Sequence, residues 1–431
     1  MTNPIIKTQL SNGLTVQLKE IHTAPIISHW VWYRVGSRNE LPGKTGISHW
    51  TEHMQFKGTP QFPAGVLDKA ISRDGGVWNA FTYLDWTAYY ETMPADKIDL
   101  ALRLESDRMV NSVYDPKEVE SERTVVISER EGGENEPTFR LSEAVQEASF
   151  DVHSYRHEVI GYKEDLYKIQ RDDLYNHYRA HYNPNNAVLA VAGDFDAITM
   201  LARIEELYGR LPAGEKPVCP ASPEPASTAE KRVEVKGPGE TTYMQLVYHA
   251  PAANCDDFFA MTVVDSLLTG PTGLNMFGGG GTSNKTSRLY RALVEKELAV
   301  YVSGGLQATV DPYLYDITLT VRPEQTVDSV MAALDGEIKR LQDQLVSEEE
   351  IIRAVKQARA LFAYGSENIT NQAFWLGYAE MFAHYDWFTN YVERLEKITP
   401  ADVQGIAQKY LDSKNRVVGV YLPSGEEEGE A

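Results

Sequence analysis

The residues most able to do chemistry in this sequence form one short segment, His49-Trp50-Thr51-Glu52-His53. The segment has the pattern H-x-x-E-H, the reverse of the H-E-x-x-H zinc signature. On a helix, His49 and His53 lie four residues apart, so both imidazoles project from one face and can bind one metal ion. Glu52 adds a carboxylate that can act as a base toward water. Two nitrogen ligands and a base are the groups that metal-assisted hydrolysis requires.

Two other histidine pairs have the same spacing, His153/His157 and His177/His181. Neither pair has a glutamate at the matching position, so we expect ordinary packing or surface roles for both. An alternative is that the first pair also consists of core histidines. The acid between them would then be buried without a reason, which argues against that alternative.

The local sequence predicts a helix beneath the H-x-x-E-H segment. Residues 42–46 are rich in turn formers, and residues 47–56 contain neither proline nor glycine. A Gly-Thr-Pro sequence at residues 58–60 then favours a helix end.

Two histidines do not complete a catalytic metal site, so a third protein ligand must come from elsewhere. A second helix is predicted for residues 117–131, after an Asp-Pro pair at 115–116 and before two glycines at 132–133. Glu122 and Glu129 are two turns apart on this helix and share a face. Spacing alone does not make either of them a ligand, because most glutamates on such a helix are solvated.

Two segments carry a family resemblance, residues 46–59 and residues 122–129. On these segments the chain is identified as a member of peptidase family M16, the inverzincin family of mitochondrial processing peptidase, pitrilysin and insulysin. The resemblance spans essentially the whole chain and is best for the shorter bacterial and mitochondrial type.

The resemblance implies a role for each residue of the candidate site. His49, His53 and Glu129 are implied as ligands of one Zn²⁺ per chain. Glu52 is implied as the catalytic base. Glu122 is implied as the acid that supports the site from beside the ligands.

Residues 75–90 contain a turn followed by an aromatic and β-branched run, which predicts a strand. An exposed strand edge can bind an extended peptide through main-chain hydrogen bonds. The resemblance implies that Asn79 and Ala80 bind substrate in this way. The alternative is a central strand whose aromatics are needed for packing; we expect Trp86 and Tyr89 to be core residues.

A glycine-rich segment, residues 278–290, invites a comparison with nucleotide-binding loops. The comparison fails, because Asn284 stands where G-x-x-x-x-G-K-[ST] requires glycine and no buried apolar strand precedes the segment. In family M16 such a loop can face substrate. The resemblance therefore implies that Gly279 and Gly280 contact the peptide.

Many family members carry an arginine and, seven residues later, a tyrosine that assist catalysis from across the chamber. Tyr301 matches that tyrosine, which implies a substrate-binding role, but Val294 stands at the arginine position. Valine can neither stabilise an oxyanion nor hold a peptide carbonyl. Two interpretations remain open. A related partner subunit supplies the Arg/Tyr pair in a heterodimer, which we predict, or a homodimer acts without that arginine.

The chain repeats itself across a linker rich in proline and small residues. A short helix followed by a β-branched strand at residues 173–191 has a counterpart at residues 402–420. We predict two homologous α+β domains, each a mostly antiparallel sheet with helices packed on one side. Their boundaries are residues 1–212 for the metal-binding domain, 213–228 for the linker, and 229–431 for the domain without a metal site.

Composition excludes several classes of function. The chain has 431 residues, of which 42% are hydrophobic, enough for at least two cores. Its net charge of −21 argues against a nucleic-acid partner and fits an acidic chamber that attracts basic peptides. We expect no membrane segment, because no run of 18 apolar residues occurs. The lack of a signal-peptide pattern and the presence of only Cys219 and Cys255 fit a reducing cytoplasm.

Together these patterns predict a zinc-dependent endopeptidase that hydrolyses peptides in an enclosed chamber, as the zinc-bearing subunit of a dimer. The alternative is a non-catalytic structural or assembly subunit of the same fold, since family M16 includes such subunits in respiratory complexes.

Overall fold

The protein is described from a computed structural model that covers residues 5–220, 222–273 and 283–425, with the backbone alone at residues 67–68. The six strands of the first half are β1 (Ile6–Gln9), β2 (Thr15–Glu20), β3 (Ile26–Tyr33), β4 (Val77–Thr82), β5 (Thr87–Pro94) and β6 (Ala187–Gly193). The later strands are β7 (Lys231–Gly237), β8 (Tyr243–Ala250), β9 (Ala299–Leu306), β10 (Tyr313–Val321) and β11 (Arg416–Pro423).

The helices lie between and after these strands. Those that begin before residue 210 are α1 (Ile47–Met54), α2 (Val66–Arg73), α3 (Asp99–Asn111), α4 (Pro116–Glu134), α5 (Pro137–Ser149), α6 (Lys163–Lys168), α7 (Arg171–His181) and α8 (Ala197–Tyr208). The others are α9 (Asp257–Leu268), α10 (Val327–Asp343), α11 (Glu348–Tyr364), α12 (Ile369–Phe382), α13 (Tyr385–Thr389), α14 (Tyr391–Glu396) and α15 (Pro400–Tyr410).

The chain forms two compact units that are not continuous in sequence. Unit 1 comprises Met1–Arg130, His157–Ser222 and Ser366–Tyr385. Unit 2 comprises Glu131–Arg156, Pro223–Gly365 and Asp386–Ala431. Each half of the chain therefore contributes one helix to the unit built mainly by the other half: α5 belongs to unit 2 and α12 to unit 1.

The two sheets have the same order of corresponding strands. The six-stranded sheet of unit 1 runs β1-β2-β6-β3-β5-β4, and the five-stranded sheet of unit 2 runs β7-β11-β8-β10-β9. In each sheet one pair is parallel, β2 with β6 and β11 with β7, and every other pair is antiparallel. The predicted duplication and the α+β class with mostly antiparallel sheets are confirmed.

Unit 1 buries both faces of its sheet. Ile27, Val31 and Tyr33 of β3 point into the main hydrophobic core with residues of α1, α3, α7 and α8. Alternate residues of β3 point to the opposite face, where Trp30 and Trp32 contact Phe374 of α12. The structure thus adds one helix, α12, on the face opposite the main helical layer.

The predicted domain boundaries stay a prediction. They divide the chain into two continuous halves, whereas each compact unit also includes a segment from the other half. The described residues of the predicted linker, 213–220 and 222–228, contain no helix or strand. Within the part of the chain that the structure describes, no helix has both the length and the apolar character needed to cross a bilayer.

Two local predictions need correction. The predicted helix end at residues 132–133 is wrong, because α4 continues through both glycines to Glu134; the ideal Cβ position of Gly133 lies 3.4 Å from the ring of Phe139, so a small residue fits there. The single strand predicted within residues 75–90 is a hairpin of two strands, β4 and β5, in which Tyr83 N–H donates to the Trp86 carbonyl at 2.8 Å.

Candidate metal centre

Helix α1 holds the H-x-x-E-H segment, and the carboxylate of an upstream residue fixes its first turn. Gly46, at the N-cap, has a left-handed φ of 84° and no side chain to cap the helix. Glu40 takes over that role: one oxygen accepts from Gly46 N–H and the other from Ser48 N–H, both at 2.8 Å. Because Ser48 precedes His49, the buried Glu40 carboxylate anchors the turn that carries the first histidine.

Helix α4 places the two candidate glutamates opposite α1. Asp115 caps it as predicted, with an oxygen 2.8 Å from Lys117 N–H. Glu122 is buried and Glu129 is half exposed, although they share a helix face. The difference in burial separates their roles, since one is enclosed by neighbouring side chains and the other is open at the surface of the site.

His49, His53 and Glu129 converge on one point. One ligand atom from each of them lies within 4.8 Å of the other two. Glu129 Oε2 is 3.9 Å from His49 Nε2 and 3.6 Å from His53 Nε2. The two imidazole ring centres are 4.6 Å apart. The three residues that the resemblance implied as ligands are therefore brought together.

The two histidines differ in their electrostatic surroundings. Burial and the neighbouring imidazole of His53 lower the pKa of His49 to about 3, so its ring is neutral at ordinary pH. Burial also opposes a charge on His53, but the hydrogen bond with Glu122 and the carboxylates of Glu52 and Glu129 outweigh it and raise the pKa of His53. A site that favours a proton on this imidazole also favours a bound cation.

Glu122 orients His53 from behind. Its Oε1 accepts from His53 Nδ1 at 2.8 Å, which leaves the Nε2 lone pair on the side of Glu129. Its other oxygen, Oε2, forms an ion pair with Lys57 Nζ. Burial opposes the charge on Glu122, but these two partners lower its pKa. The carboxylate is thus held ionised as an acceptor.

Glu52 lies beside the three candidate ligands as a buried carboxylate. Burial raises the pKa of Glu52, although a hydrogen bond and the charge of His53 act in the opposite direction. That hydrogen bond comes from Thr82 Oγ1, which donates to Glu52 Oε2 at 2.7 Å. A carboxylate with a raised pKa is a stronger base than an exposed one, as proton abstraction from water requires.

The donor set fits Zn²⁺. Two imidazole nitrogens and one carboxylate oxygen are a known ligand set for catalytic zinc, and they leave a position open for water. Ligands of a tetrahedral zinc ion lie about 3.3–3.5 Å apart, close to the two separations between Glu129 and the histidines. The buried carboxylate behind His53 is the usual support for such a ligand.

Strand β4 lies at the edge of the unit 1 sheet, next to α1. Asn79 is exposed, whereas Ala80 is buried in the core beneath the strand. Ala80 N–H donates to the side-chain oxygen of Asn79 at 2.9 Å. Trp86 and Tyr89 are buried, as predicted. An edge strand beside the candidate metal site is the arrangement that peptide binding by strand addition requires.

The remaining predicted residues belong to unit 2. Tyr301 lies on the edge strand β9 with about half of its surface exposed. Val294 ends a short π-helix, Tyr290–Val294, and is partly buried. Gly279 and Gly280 fall outside the described residues. The substrate roles of these residues stay predictions.

Sequence reasoning missed three residues that act on the site: Glu40, Lys57 and Thr82. Lys57 and Thr82 reach the site through tertiary contacts, whereas Glu40 contacts α1 from a nearby turn. For Glu40 a signal existed, because α1 begins after glycine without a Ser, Thr, Asp or Asn cap. The other two carry no comparable signal in the sequence.

Two family models match the chain. The model described as insulinase (peptidase family M16) matches residues 15–162, and the model described as peptidase M16 inactive domain matches residues 168–358. Together they cover more than half of the sequence.

Relatives over nearly the whole chain carry matching descriptions. An uncharacterised zinc protease of Streptomyces coelicolor is 26% identical over 413 residues, which is 94% of this chain and 87% of that protein. One of Mycobacterium bovis is 27% identical over 423 residues, 97% of this chain and 93% of that protein.

Solved structures show the same fold. A protease from Helicobacter pylori has a TM-score of 0.90 at 23% identity and covers 98% of this chain and 100% of its own. A chain of complex III₂ from Candida albicans has a TM-score of 0.80 at 20% identity and covers 99% and 97%. With both halves matched by its models, the chain belongs to peptidase family M16.

Proposed function

We propose that the protein is a zinc-dependent endopeptidase that cleaves peptides in an enclosed chamber. The observation that carries this proposal is the convergence of His49, His53 and Glu129 within ligand distance, with the buried carboxylate of Glu52 beside them. A structural subunit has no need for a base next to three convergent ligands. The description of the relatives as zinc proteases supports the same proposal.

In the proposed mechanism, His49, His53 and Glu129 hold one Zn²⁺, which when bound supplies Lewis-acid activation of water and of the scissile carbonyl. Glu52 takes the proton from the attacking water and returns it to the leaving amine. Glu122 keeps the imidazole of His53 in its ligating orientation through the 2.8 Å bond to Nδ1. The chain thus contributes a positioned base and a preorganised set of ligands.

The substrate in this proposal is an extended peptide that adds to β4 as a further strand, near Asn79 and Ala80. The position of β4 at the sheet edge next to α1 favours the addition of such a peptide strand. By the family resemblance, Tyr301, Gly279 and Gly280 are also proposed as substrate-binding residues. The net charge of −21 favours basic peptides.

We further propose a heterodimer in which a related partner supplies the arginine that Val294 replaces. A half-buried valine offers no donor for a peptide carbonyl, which supports this proposal. Co-purification of the chain from its host tests it: a related subunit should accompany the chain. A pure homodimer with full activity would contradict the heterodimer. We also propose that the protein acts in the cytoplasm.

The second candidate function is that of a non-catalytic assembly subunit. The fold likeness to a chain of complex III₂ favours it, although a likeness at 20% identity concerns the fold alone. The intact set of three ligands and a base favours the peptidase instead.

Zinc content and peptide cleavage of the purified chain, with and without a co-expressed related subunit, test the proposed function. Glu52→Gln should keep zinc while hydrolysis falls by about 10²- to 10⁴-fold, because the base is lost and the ligands remain. Asp265→Asn, a buried acid of α9 in unit 2, is the matched control and should cleave normally. Full activity of Glu52→Gln, or a zinc-free wild-type chain, would reject the peptidase.

A further inference from the structure

One contact links the edge strand to the candidate base. Thr82, the last residue of β4, donates its hydroxyl to Glu52 Oε2 at 2.7 Å. Hydrogen bonds to an ionised carboxylate are stronger than those between neutral groups. This bond restrains rotation of the Glu52 carboxylate and occupies one of its two oxygens.

The main chain of Thr82 faces the open edge of the sheet. Tyr83 N–H points toward β5, because it donates to the Trp86 carbonyl. In an antiparallel strand successive residues direct their main-chain groups to opposite sides, so Thr82 and Ala80 direct theirs away from β5. The donation from Ala80 N–H to the side chain of Asn79 agrees with this orientation. A peptide added to β4 would therefore pair with the main chain of Ala80 and Thr82.

The Thr82 hydroxyl is backed by a second threonine. Thr87 lies opposite Thr82 in the β4–β5 register. Its Oγ1 is 3.4 Å from Thr82 Oγ1 and 2.8 Å from the carbonyl of Val35, to which it donates. Because Val35 and Thr87 are fully buried, this second hydroxyl holds a fixed position.

We propose that Thr82 is a positioning residue that fixes the Glu52 carboxylate relative to a peptide bound on β4. Its main chain sets the register of the peptide, and its side chain sets the orientation of the base. The free carboxylate oxygen, Oε1, is then aimed at the water that attacks the peptide. This inference rests on the proposed peptidase function and assigns to Thr82 no contact with the reacting atoms.

The test compares three variants of the full chain, assayed with zinc and in the subunit state in which the wild type is active. Thr82→Val has the same shape without the hydroxyl, and Thr82→Ser keeps the hydroxyl. Thr8→Val makes the first change on β1, the strand at the opposite edge of the same sheet. The assay uses an internally quenched peptide that the wild type cleaves, together with zinc content and the thermal unfolding temperature.

Thr82→Val should lower kcat about 10- to 100-fold and leave KM within about twofold, because the base is misoriented while the peptide still binds. Thr82→Ser and Thr8→Val should retain kcat within about threefold. All variants should bind zinc as the wild type does. In a Glu52→Gln background, Thr82→Val should change neither the residual rate nor the dissociation constant of the uncleaved peptide, since the base on which Thr82 acts is already gone.

Undiminished kcat in Thr82→Val overturns the inference. So does an equal loss in Thr82→Ser, a loss of zinc, or the same fall in kcat when Glu52 is already Gln, because each would indicate a structural role. A wild-type chain without zinc-dependent cleavage overturns the proposed function and this inference with it. An active wild type with an unaffected Thr82→Val overturns the inference alone.

Discussion

The two units share a strand order but differ in the helix that follows the corresponding strands β3 and β8. In unit 1 this helix is α1, which carries His49, Glu52 and His53 beside the edge strand β4. In unit 2 it is α9, in which every residue from Phe258 to Leu268 is buried. The same fold therefore carries candidate metal ligands on this helix in one copy and packs the corresponding helix into the core in the other. The candidate metal site therefore depends on the side chains of α1 and not on the shared fold.

Each of these two helices carries a buried acid, but the two acids have different partners. Glu52 is bound by Thr82 of the edge strand and lies beside two histidines. Asp265 of α9 accepts from Thr269 of the same helix end at 2.6 Å. No group of three metal-ligating side chains other than His49, His53 and Glu129 is found among the described residues. Glu52 is therefore bonded to the edge strand beside the histidines, whereas Asp265 is bonded within the end of its own helix.

The largest effect is expected from removing one of the proposed zinc ligands of unit 1. His49→Ala should weaken zinc binding by more than about 10²-fold and abolish peptide cleavage, because two protein ligands cannot hold a catalytic zinc ion. Competition with a chelating dye measures the zinc affinity. His181→Gln, in a pair with the same spacing but without an intervening acid, is the control and should bind zinc normally. Equal loss in both variants would remove the distinction between the two pairs.

The second effect concerns how closely one helix packs on the sheet of each unit, α12 in unit 1 and α5 in unit 2. A Cβ on Gly377 of α12 would overlap the indole of Trp32, and a Cβ on Gly419 of β11 would overlap Val145 of α5. Gly377→Ala should lower the free energy of unfolding by about 3 kcal/mol or more, since a buried indole cannot move aside. Gly419→Ala should cost less, about 1–3 kcal/mol, because its neighbours are smaller.

Chemical denaturation measures both costs. Gly336→Ala, in an exposed stretch of α10 with no atom near the new methyl group, is the control and should stabilise the protein by about 0.5–1 kcal/mol. An unchanged free energy of unfolding in Gly377→Ala would show that α12 does not pack closely on the sheet of unit 1.

The last effect is a pH dependence of the free energy of unfolding, and it arises from the buried acid Asp265. Burial raises the pKa of Asp265 from 3.8 to about 6. Because the folded pKa lies above the unfolded one, its stabilising contribution is complete at low pH and is lost as the pH rises from about 4 to about 6. Asn does not titrate. Asp265→Asn should therefore gain stability relative to the wild type across that window, by up to about 3 kcal/mol.

Urea denaturation at several pH values measures this difference, which should stay constant above about pH 7. A flat difference for Asp265→Asn would mean that this acid is ionised and satisfied in unit 2.

Much of the metal centre could be predicted from the sequence because its signals are local. The spacing of His49, Glu52 and His53 depends on helix geometry alone, and the pairing of Glu122 with Glu129 on one face follows in the same way. The choice of Glu129 as the ligand needed the family resemblance, since spacing did not distinguish the two acids. The structure adds a physical reason: Glu122 is buried against His53 and Lys57, whereas Glu129 is open.

The rest depends on contacts between segments that are distant in sequence. Lys57 pairs with Glu122 of α4, and Thr82 reaches Glu52 across 30 residues. The exchange of α5 and α12 between units could not be predicted, because an amphipathic or apolar helix does not specify which sheet it covers. The glycines at 132–133 misled the prediction of the end of α4, since glycine in a helix costs only about 1 kcal/mol and tertiary packing can exceed that cost.

The exchanged helix α12 also has a consequence for the order of folding during synthesis. Trp30 and Trp32 leave the ribosome early, whereas Phe374 and Tyr378, which cover them, are made more than 300 residues later. At synthesis rates of about 5–20 residues per second, one face of the first sheet waits on the order of 15 s or longer for its cover. A nascent chain of this protein therefore exposes an aromatic surface for that time, and we expect it to depend on chaperones until its last quarter is made.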